Sequence, residues 1–468
     1  MELKQICQTE DILTIKPYLD MYKNDFSDLT CPNFYMWRDI YPREYYIFDE
    51  TLILREYSVS DENFFRFYLP VGKNIPKATE LVENYCLERH APLIWSNLTL
   101  EEAEALATHY HDTKIEYNRN QSDYVYSAED MRTFKGKKFA GQRNHINKFK
   151  NLYGEYKYNS ITPENLDEVK AFLVEFGKNR EFASDDEFTE YKLNLELLDN
   201  IFTLGSIGGF VTCNGNIISV SLGEKRGNTL YVCTEKADRN YHGAYQITVQ
   251  EFAKSNTDDT VCFINREDDM GSEGLRTSKL QYQPIDIKHK YFLTVSTLFD
   301  KIPSPVKISG ERVILDDITG DDKKALMRLC TNDENNKYWG YDYKEDAPKD
   351  ISSDYFIDFV RKMKETKEEY SVAIRVTSAF AGEGVFHNFD FRGNVELGIR
   401  LLPEFQGQGF AVDTVKAMKN FAKNTLNAKT IKMKCMLENH KSAEMIKKSG
   451  FTEESRDKKF IYFTSLTV

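Results

Sequence analysis

The sequence predicts an α/β protein, with mixed sheets flanked by helices, arranged as three modules in tandem. Three observations carry this. The chain has 468 residues, more than one hydrophobic core usually serves, so two or three cores are expected. Apolar residues make up 41%, aromatic 13% and charged 29%, a balance with too many large apolar side chains for wholesale disorder. An order of strand, glycine-entered helix and strand occurs in the last third and recurs in weaker form in the middle. The reading is a module at 1–155, a second at 156–300, an extended linker at 301–308 and a third module at 309–468.

The linker KIPSPVKI carries two prolines after the strand-like YFLTVSTLF. ERVILDDITGDD then reads as a strand running into an Asp/Thr-rich helix start, continued by ALMRLC. SVAIRV alternates apolar and polar residues, AGEG is expected to turn, and GVFHNF returns as the second strand of a hairpin. VELGIRLLP alternates Val395, Leu397, Ile399 and Leu401 with Glu396, Gly398 and Arg400. A helix is expected from within QGQGFAVDTVKAMKNFAK, where Ala411, Val415, Met418 and Ala422 keep helical spacing. IKMKCM as a strand, KSAEMIKK as a helix, Gly450 as its stop and a last strand around FIYFTSLTV close the chain.

In the middle, TLYVCT and VCFIN read as strands on either side of the helix NYHGAYQITVQEFAK, with Tyr245, Val249 and Phe252 as its buried stripe. Farther upstream, YYIFDETLILREY and NFFRFYLP read as strands and ATELVENYCLERH as a helix. The basic stretch FKGKKFAGQRNHINKFKNLYG is read as one amphipathic helix over 132–150. It places Phe139, Ile146 and Phe149 at helical spacing, with Arg132, Lys135, Lys137, Lys138, Arg143, Lys148 and Lys150 around them.

A net charge of -12 argues against coating nucleic acid or an anionic membrane non-specifically, since both would repel the chain. The eight cysteines are scattered, without a Cys-x-x-Cys pair or a His partner at ligand spacing. They read as buried free thiols and no metal site is expected. The start lacks a basic region followed by an apolar run, and no stretch approaches about 18 apolar residues. A soluble cytoplasmic protein without membrane insertion is the expectation.

In Gln406-Gly407-Gln408-Gly409-Phe410-Ala411 two glycines stand at the mouth of a strong helix directly after a strand. Free backbone N–H groups and the positive end of the helix dipole suit such a turn to an anion. This segment resembles the signature of the GNAT superfamily of N-acetyltransferases, with the Glu-Leu-Gly-Ile strand before it and Asn439-His440-Lys441-Ser442 and Gly450-Phe451 after it. RVILDDI and ELGIRLLPEFQGQGFA look closest to the N-terminal-amine acetyltransferases that modify ribosomal proteins. The resemblance implies acetyl-coenzyme A as donor. It pairs the backbone of Ile399 and Leu401 with the pantetheine arm, puts the pyrophosphate at residues 406–411, and gives Asn439 a contact from the far side.

An amine attacks a thioester only when neutral, whereas a free lysine amine has a pKa of about 10.4. A base is therefore needed. The resemblance offers Glu396, on the strand that would splay to admit the thioester, with His387 on the preceding strand as the spare candidate. Where many relatives carry a tyrosine to protonate the leaving thiolate, this chain has Ile446. Ser442 and Tyr462 are the remaining candidates.

TEKADRNYHGAYQ and INREDDMGSEGLRTSKLQYQP resemble a bacterial family related to the catalytic domain of phosphatidylglycerol lysyltransferase. That relative is a double GNAT-like fold that moves an aminoacyl group from transfer RNA to a lipid, and the likeness spans nearly all of residues 1–300. Glu235, Lys236, Asn265, Arg266, Asp268, Asp269 and Lys279 concentrate charge at two expected strand ends. With Gly243 and Tyr245 they form a candidate second site.

The leading functional reading is acetyl transfer to a primary amine, on a small molecule or a protein, by the C-terminal module. The N-terminal module is then aminoacyltransferase-like with an unidentified substrate. Two alternatives stay open for residues 1–300. One is aminoacyl transfer from transfer RNA, which the acidic total disfavours; the other is a non-catalytic module that presents a substrate.

Overall fold

A computed structural model describes residues 1–60, 64–178, 185–339, 343–345 and 351–466. These form three mixed sheets with flanking helices, the architecture of tandem GNAT-like modules. The chain divides into two compact units, one of residues 1–82, 94–104 and 115–293, the other of residues 83–93, 105–114 and 294–468. No helix among the described residues is long and apolar enough to cross a membrane.

The first sheet has eight strands. Seven follow the order Lys4–Gln5, Arg43–Phe48, Thr51–Tyr57, Phe65–Tyr68, Leu93–Leu98, Tyr291–Ser296, Asp112–Tyr117, and Val71–Gly72 pairs with Thr51–Tyr57. The second has seven, ordered Asp286–Lys288, Asp123–Ser127, Phe263–Asn265, Thr229–Ala237, Asn216–Arg226, Ile207–Cys213, Tyr156–Ser160. The third has eight: Lys307–Ser309, Ile314–Asp317, Glu369–Val376, Ala379–His387, Asn394–Leu401, Thr430–Met436, Phe460–Leu466 and Thr452–Arg456. Residues 467 and 468, the end of the last expected strand, lie outside the described residues.

In the third sheet alternation decides what each face does. Val372, Ile374, Phe386, Val395 and Leu397 are buried in one core with Val415, Met418 and Ala422 of the helix Phe410–Asn424. Each fully buried side chain of the size of Val415 or Met418 contributes about 1.5–3 kcal/mol. Leu298 belongs to the same core. The intervening residues Glu369, His387 and Glu396 stand on the other face, as does Arg400, whose guanidinium pairs with Glu383 at 2.7 Å and lies 4.5 Å from the Trp339 ring.

Three sequence expectations are corrected. The hairpin turns at Thr377 and Ser378, whose φ values of 47° and 71° suit a two-residue left-handed turn, and AGEG lies within the returning strand. Gly382 is needed there for close approach, because a Cβ would fall 2.2 Å from the Arg400 carbonyl oxygen. The basic stretch is not one helix. Helix Ala128–Thr133 stops at Phe134 (φ 47°), Gly136 takes φ 93°, and Ala140–Tyr153 begins anew after a short 3-10 turn. Arg143 donates to the Gly136 carbonyl at 2.7 Å and so caps this break. Finally, the cysteines are not all buried: Cys7 and Cys262 are exposed.

Candidate active site

Strands Asn394–Leu401 and Thr430–Met436 pair in parallel only from Asn394 opposite Thr430 to Glu396 opposite Lys432. Beyond Glu396 they part, although both continue. Leu402 N–H donates to the Ala381 carbonyl at 2.9 Å, and the register continues with Leu401 opposite Gly382. The alternation of an antiparallel ladder then turns the N–H and C=O of Arg400, Gly398 and Glu396 towards the hairpin partner, and those of Leu397, Ile399 and Leu401 towards the splay. Ile399 thus offers its free N–H and C=O along an open edge, and Leu401 its N–H, while the Leu401 carbonyl accepts from Gln406 Nε2 at 2.9 Å.

The helix Phe410–Asn424 starts at this splay. Gly409, its N-cap, is left-handed (φ 86°, ψ -4°) and provides no side-chain cap. Among the described residues the first amide of this helix to reach a carbonyl is that of Asp413, which bonds Gly409 at 3.2 Å, so the earlier N–H groups remain for an anion. Nothing lies within 4 Å of where a Cβ on Gly407 would stand. The Arg312 guanidinium donates to the Gln408 carbonyl at 3.1 Å and lies 4.8 Å from the Phe410 ring. Asp413 fixes the Arg312 backbone by accepting the N–H groups of Glu311 (2.9 Å) and Arg312 (2.6 Å). The Gln406 N–H is taken by the Pro403 carbonyl at 3.1 Å, but residues 407–411 fit a pyrophosphate: bare amides, room beside a glycine, and a cation held against the turn.

At the root of the splay, Glu396 has both oxygens engaged. Asn388 donates to Oε2 at 2.9 Å, Lys434 Nζ lies 3.1 Å from Oε1, and His387 Nε2 lies 3.9 Å from Oε1. Burial pushes the His387 pKa down, against the pull of Glu396, so the imidazole is neutral at neutral pH. Asn439 caps the helix His440–Lys448 by accepting the Ser442 N–H at 3.1 Å. Ile446 is buried in the core. Tyr462 gives its hydroxyl proton to Asp457 at 2.7 Å. Sequence reasoning missed Arg312, Asn388 and Lys434, which only the tertiary fold brings to these positions.

In the N-terminal unit the structure gathers most of the second cluster. Strands Thr229–Ala237 and Phe263–Asn265 also pair in parallel for three residues, ending at Tyr231 opposite Asn265. Arg266 then reaches across to Glu235 and lies 4.6 Å from the Tyr282 ring. Asn265 donates to Asp123 at 2.9 Å, and Lys279 donates to the carbonyls of Arg266 and Asp268. Burial pushes the Asp268 carboxyl up to about 6 and the Lys279 ammonium down. Asp269 differs: burial alone would raise it, but Arg276, Tyr124 and the Gly271 N–H hold it down at about 2. Lys236 pairs elsewhere, with Glu190 at 2.8 Å.

Gly243 repeats the left-handed N-cap of Gly409 (φ 97°, ψ 0°) before the helix Ala244–Asn256, whose next residue is the half-buried Tyr245. Its surroundings are not repeated. A Cβ on Gly243 would fall 2.5 Å from the His145 carbonyl oxygen, because helix Ala140–Tyr153 covers this turn, and His145 and His242 meet at 3.2 Å. Among the described residues no group of three His, Cys, Asp or Glu side chains could hold a metal ion.

A mixed sheet splayed beside a glycine-entered helix is the framework of a GNAT acyltransferase, and residues 312–452 match the family described as acetyltransferase (GNAT) domain. Residues 21–294 match the family described as phosphatidylglycerol lysyltransferase, C-terminal. The chain belongs to this second family and carries the GNAT domain after it. A conserved protein of unknown function from Bacteroides thetaiotaomicron is 29% identical, with a TM-score of 0.56 over 63% of this chain and 100% of its own. An uncharacterized protein of Mycoplasmoides gallisepticum is 26% identical over 203 residues, 42% of this chain, which spans 64% of that relative's length. The uncharacterized N-acetyltransferase YoaA of Bacillus subtilis is 24% identical over 158 residues, 33% of this chain and 88% of its own. The C-terminal domain is thus of the acyl-coenzyme A-dependent N-acyltransferase class, whose donor is acetyl-coenzyme A.

Proposed function

We propose that the C-terminal unit transfers an acetyl group from acetyl-coenzyme A to a primary amine. The observation that carries this is the splay itself: the strands Asn394–Leu401 and Thr430–Met436 part beyond Glu396, which leaves the backbone of Ile399 and the Leu401 N–H unpaired on that edge, and the glycine turn that follows presents bare amides at residues 407–411. The bound thioester supplies the activated acyl carbon. Gly407 to Ala411 and Arg312 hold the pyrophosphate, the backbone of Ile399 and Leu401 aligns the pantetheine arm, and Asn439, its carboxamide oriented by the cap, reaches the donor from the other side. Glu396 and the neutral His387 beside it receive the amine proton, directly or through water. Lys434 and Asn388 keep the Glu396 carboxylate in place. With the Tyr462 proton directed to Asp457, Ser442 is the remaining donor near the thiol.

The acyl-coenzyme A chemistry is assigned to this unit rather than to residues 1–300, since helix Ala140–Tyr153 covers the Gly243 turn and the Arg266–Glu235 pair bridges the second splay. Residues 1–300 are read as an aminoacyltransferase-like module that takes a different substrate. The test is thiol release. The full chain mixed with acetyl-coenzyme A and a primary amine is expected to yield free coenzyme A and acetylated amine in equal amounts, and thiol release without acetylated amine would overturn the assignment.

A further inference from the structure

Within the C-terminal unit a cavity of about 410 Å³ opens beside the Glu396 cluster, with Glu369, His387 and Asn388 in its wall. Strand register sets Glu369 opposite His387 and His387 opposite Glu396, so these three side chains form a row across one face of the sheet. Asn388 joins the two places, lining the cavity while donating to Glu396 at 2.9 Å. The volume is that of a small-molecule site.

The wall is acidic, and most of its carboxylates are engaged. Asp390 accepts the backbone N–H groups of Arg392 and Asn394, both at 2.9 Å. Asp300 pairs with Lys367, and Glu368 accepts from the Thr366 hydroxyl at 2.8 Å with His90 at 3.6 Å. Glu369 differs, for among the described residues no side chain or backbone amide donates to it. Burial, reinforced by Glu383 and Glu368, pushes its carboxyl up to about 7. Glu369 is half-buried, and a cation brought to its carboxyl would restore the ionised form.

We propose that this cavity holds the acyl acceptor, and that the acceptor is an aliphatic diamine whose second ammonium pairs with Glu369 while its reacting amine lies at Glu396. This rests on the acetyl-transfer reading above and names its substrate class. Glu369 and Glu396 lie two strands apart, roughly 10 Å. Subtracting two contacts of roughly 3 Å each leaves about 4–6 Å between nitrogens, the span of a three- or four-carbon chain. Phe389 lines the cavity and gives the methylenes an apolar surface, and the uncharged His387 between the two carboxylates does not repel the ligand. In the transfer the amine nitrogen bonds to the acyl carbon as the carbon–sulfur bond breaks. The amine proton goes to Glu396 and the sulfur leaves as coenzyme A thiolate, protonated from its surroundings.

The full chain is titrated with 1,4-diaminobutane and with 1-aminobutane at pH 8, and each amine is assayed with acetyl-coenzyme A. A charge-assisted contact at Glu369 is expected to favour the diamine by roughly 10- to 100-fold, a preference that Glu369→Gln removes. Glu369→Asp, which keeps the charge on a shorter side chain, is expected to shift the preference towards 1,5-diaminopentane. Equal binding of diamine and monoamine by the unaltered chain, or a preference that survives in Glu369→Gln, would overturn the proposal. Failure of the acetyl-transfer reading looks different: the diamine binds with its Glu369-dependent preference, yet neither amine is acetylated.

Discussion

Glu396→Gln is expected to lower the rate of acetyl transfer by about 10²–10⁴-fold, the usual contribution of a general base. The substitution keeps the size and shape of the side chain, so the packing at the root of the splay should survive. What it removes is the carboxylate that Lys434 pairs with at 3.1 Å and Asn388 fixes at 2.9 Å. An amide in that place accepts a hydrogen bond but does not take up a proton at neutral pH. Coenzyme A affinity should hardly move, since the backbone of Ile399 and the Leu401 N–H lie farther along the strand. A rate within a factor of about two of the unaltered enzyme across the pH profile would make Glu396 a holder of Lys434 and no more. The profile carries a second mark. Burial depresses the His387 pKa from its ordinary 6.5, so above 6.5 the imidazole is neutral whether the chain is folded or unfolded and contributes nothing to pH-dependent stability. As pH falls below 6.5 the unfolded chain takes up the proton first, so both stability and the proton-accepting imidazole are lost on the acid side.

Gly409→Trp is expected to weaken coenzyme A binding by about 100-fold or more, for two separate reasons. Gly409 holds φ 86°, a left-handed conformation that costs an L-residue roughly 1–2 kcal/mol. A Cβ there would also fall 2.7 Å from Nη2 of Arg312, so any side chain displaces the guanidinium from the turn and a large one covers the bare amides. Gly409→Ala separates the two effects. Arg312 is flexible and can swing aside, so the alanine chain should bind less tightly than the unaltered one but better than the tryptophan chain. Titration of the full-length variants with coenzyme A is the check, with thermal melting to show that each is folded. Unchanged affinity in a folded Gly409→Trp chain would place the pyrophosphate elsewhere.

What the sequence made legible is what local chemistry controls. The alternation in VELGIRLLP, the glycines before a strongly periodic helix and the helix KSAEMIKK with Gly450 after it each depend on a few residues, and each lies in the expected element. The misplaced features depended on partners. AGEG looked like a turn because glycine permits one, whereas Gly382 is there to let the Arg400 carbonyl approach. The periodicity of the basic stretch continued through Phe134 and Gly136, where the backbone breaks and Arg143 caps it. Strand periodicity also does not reveal which sheet a strand joins. Asp123–Ser127 precedes the second sheet's other strands by some distance in the chain, yet it pairs with Phe263–Asn265 in that sheet. For the same reason Arg312 carried no sign of its role: it reaches the glycine turn through the Asp413 carboxylate, a contact across about a hundred residues. Glu369 reads as an ordinary strand glutamate until register sets it in line with His387 and Glu396.

The most direct measurement is the stoichiometry of coenzyme A binding to the full chain, read by titration calorimetry. One molecule per chain is expected, because the Gly409 turn is open to an anion while the matching Gly243 turn is covered by the His145 carbonyl. Two molecules per chain, or none bound by a folded chain, would contradict the assignment of the acyltransferase site to the C-terminal unit.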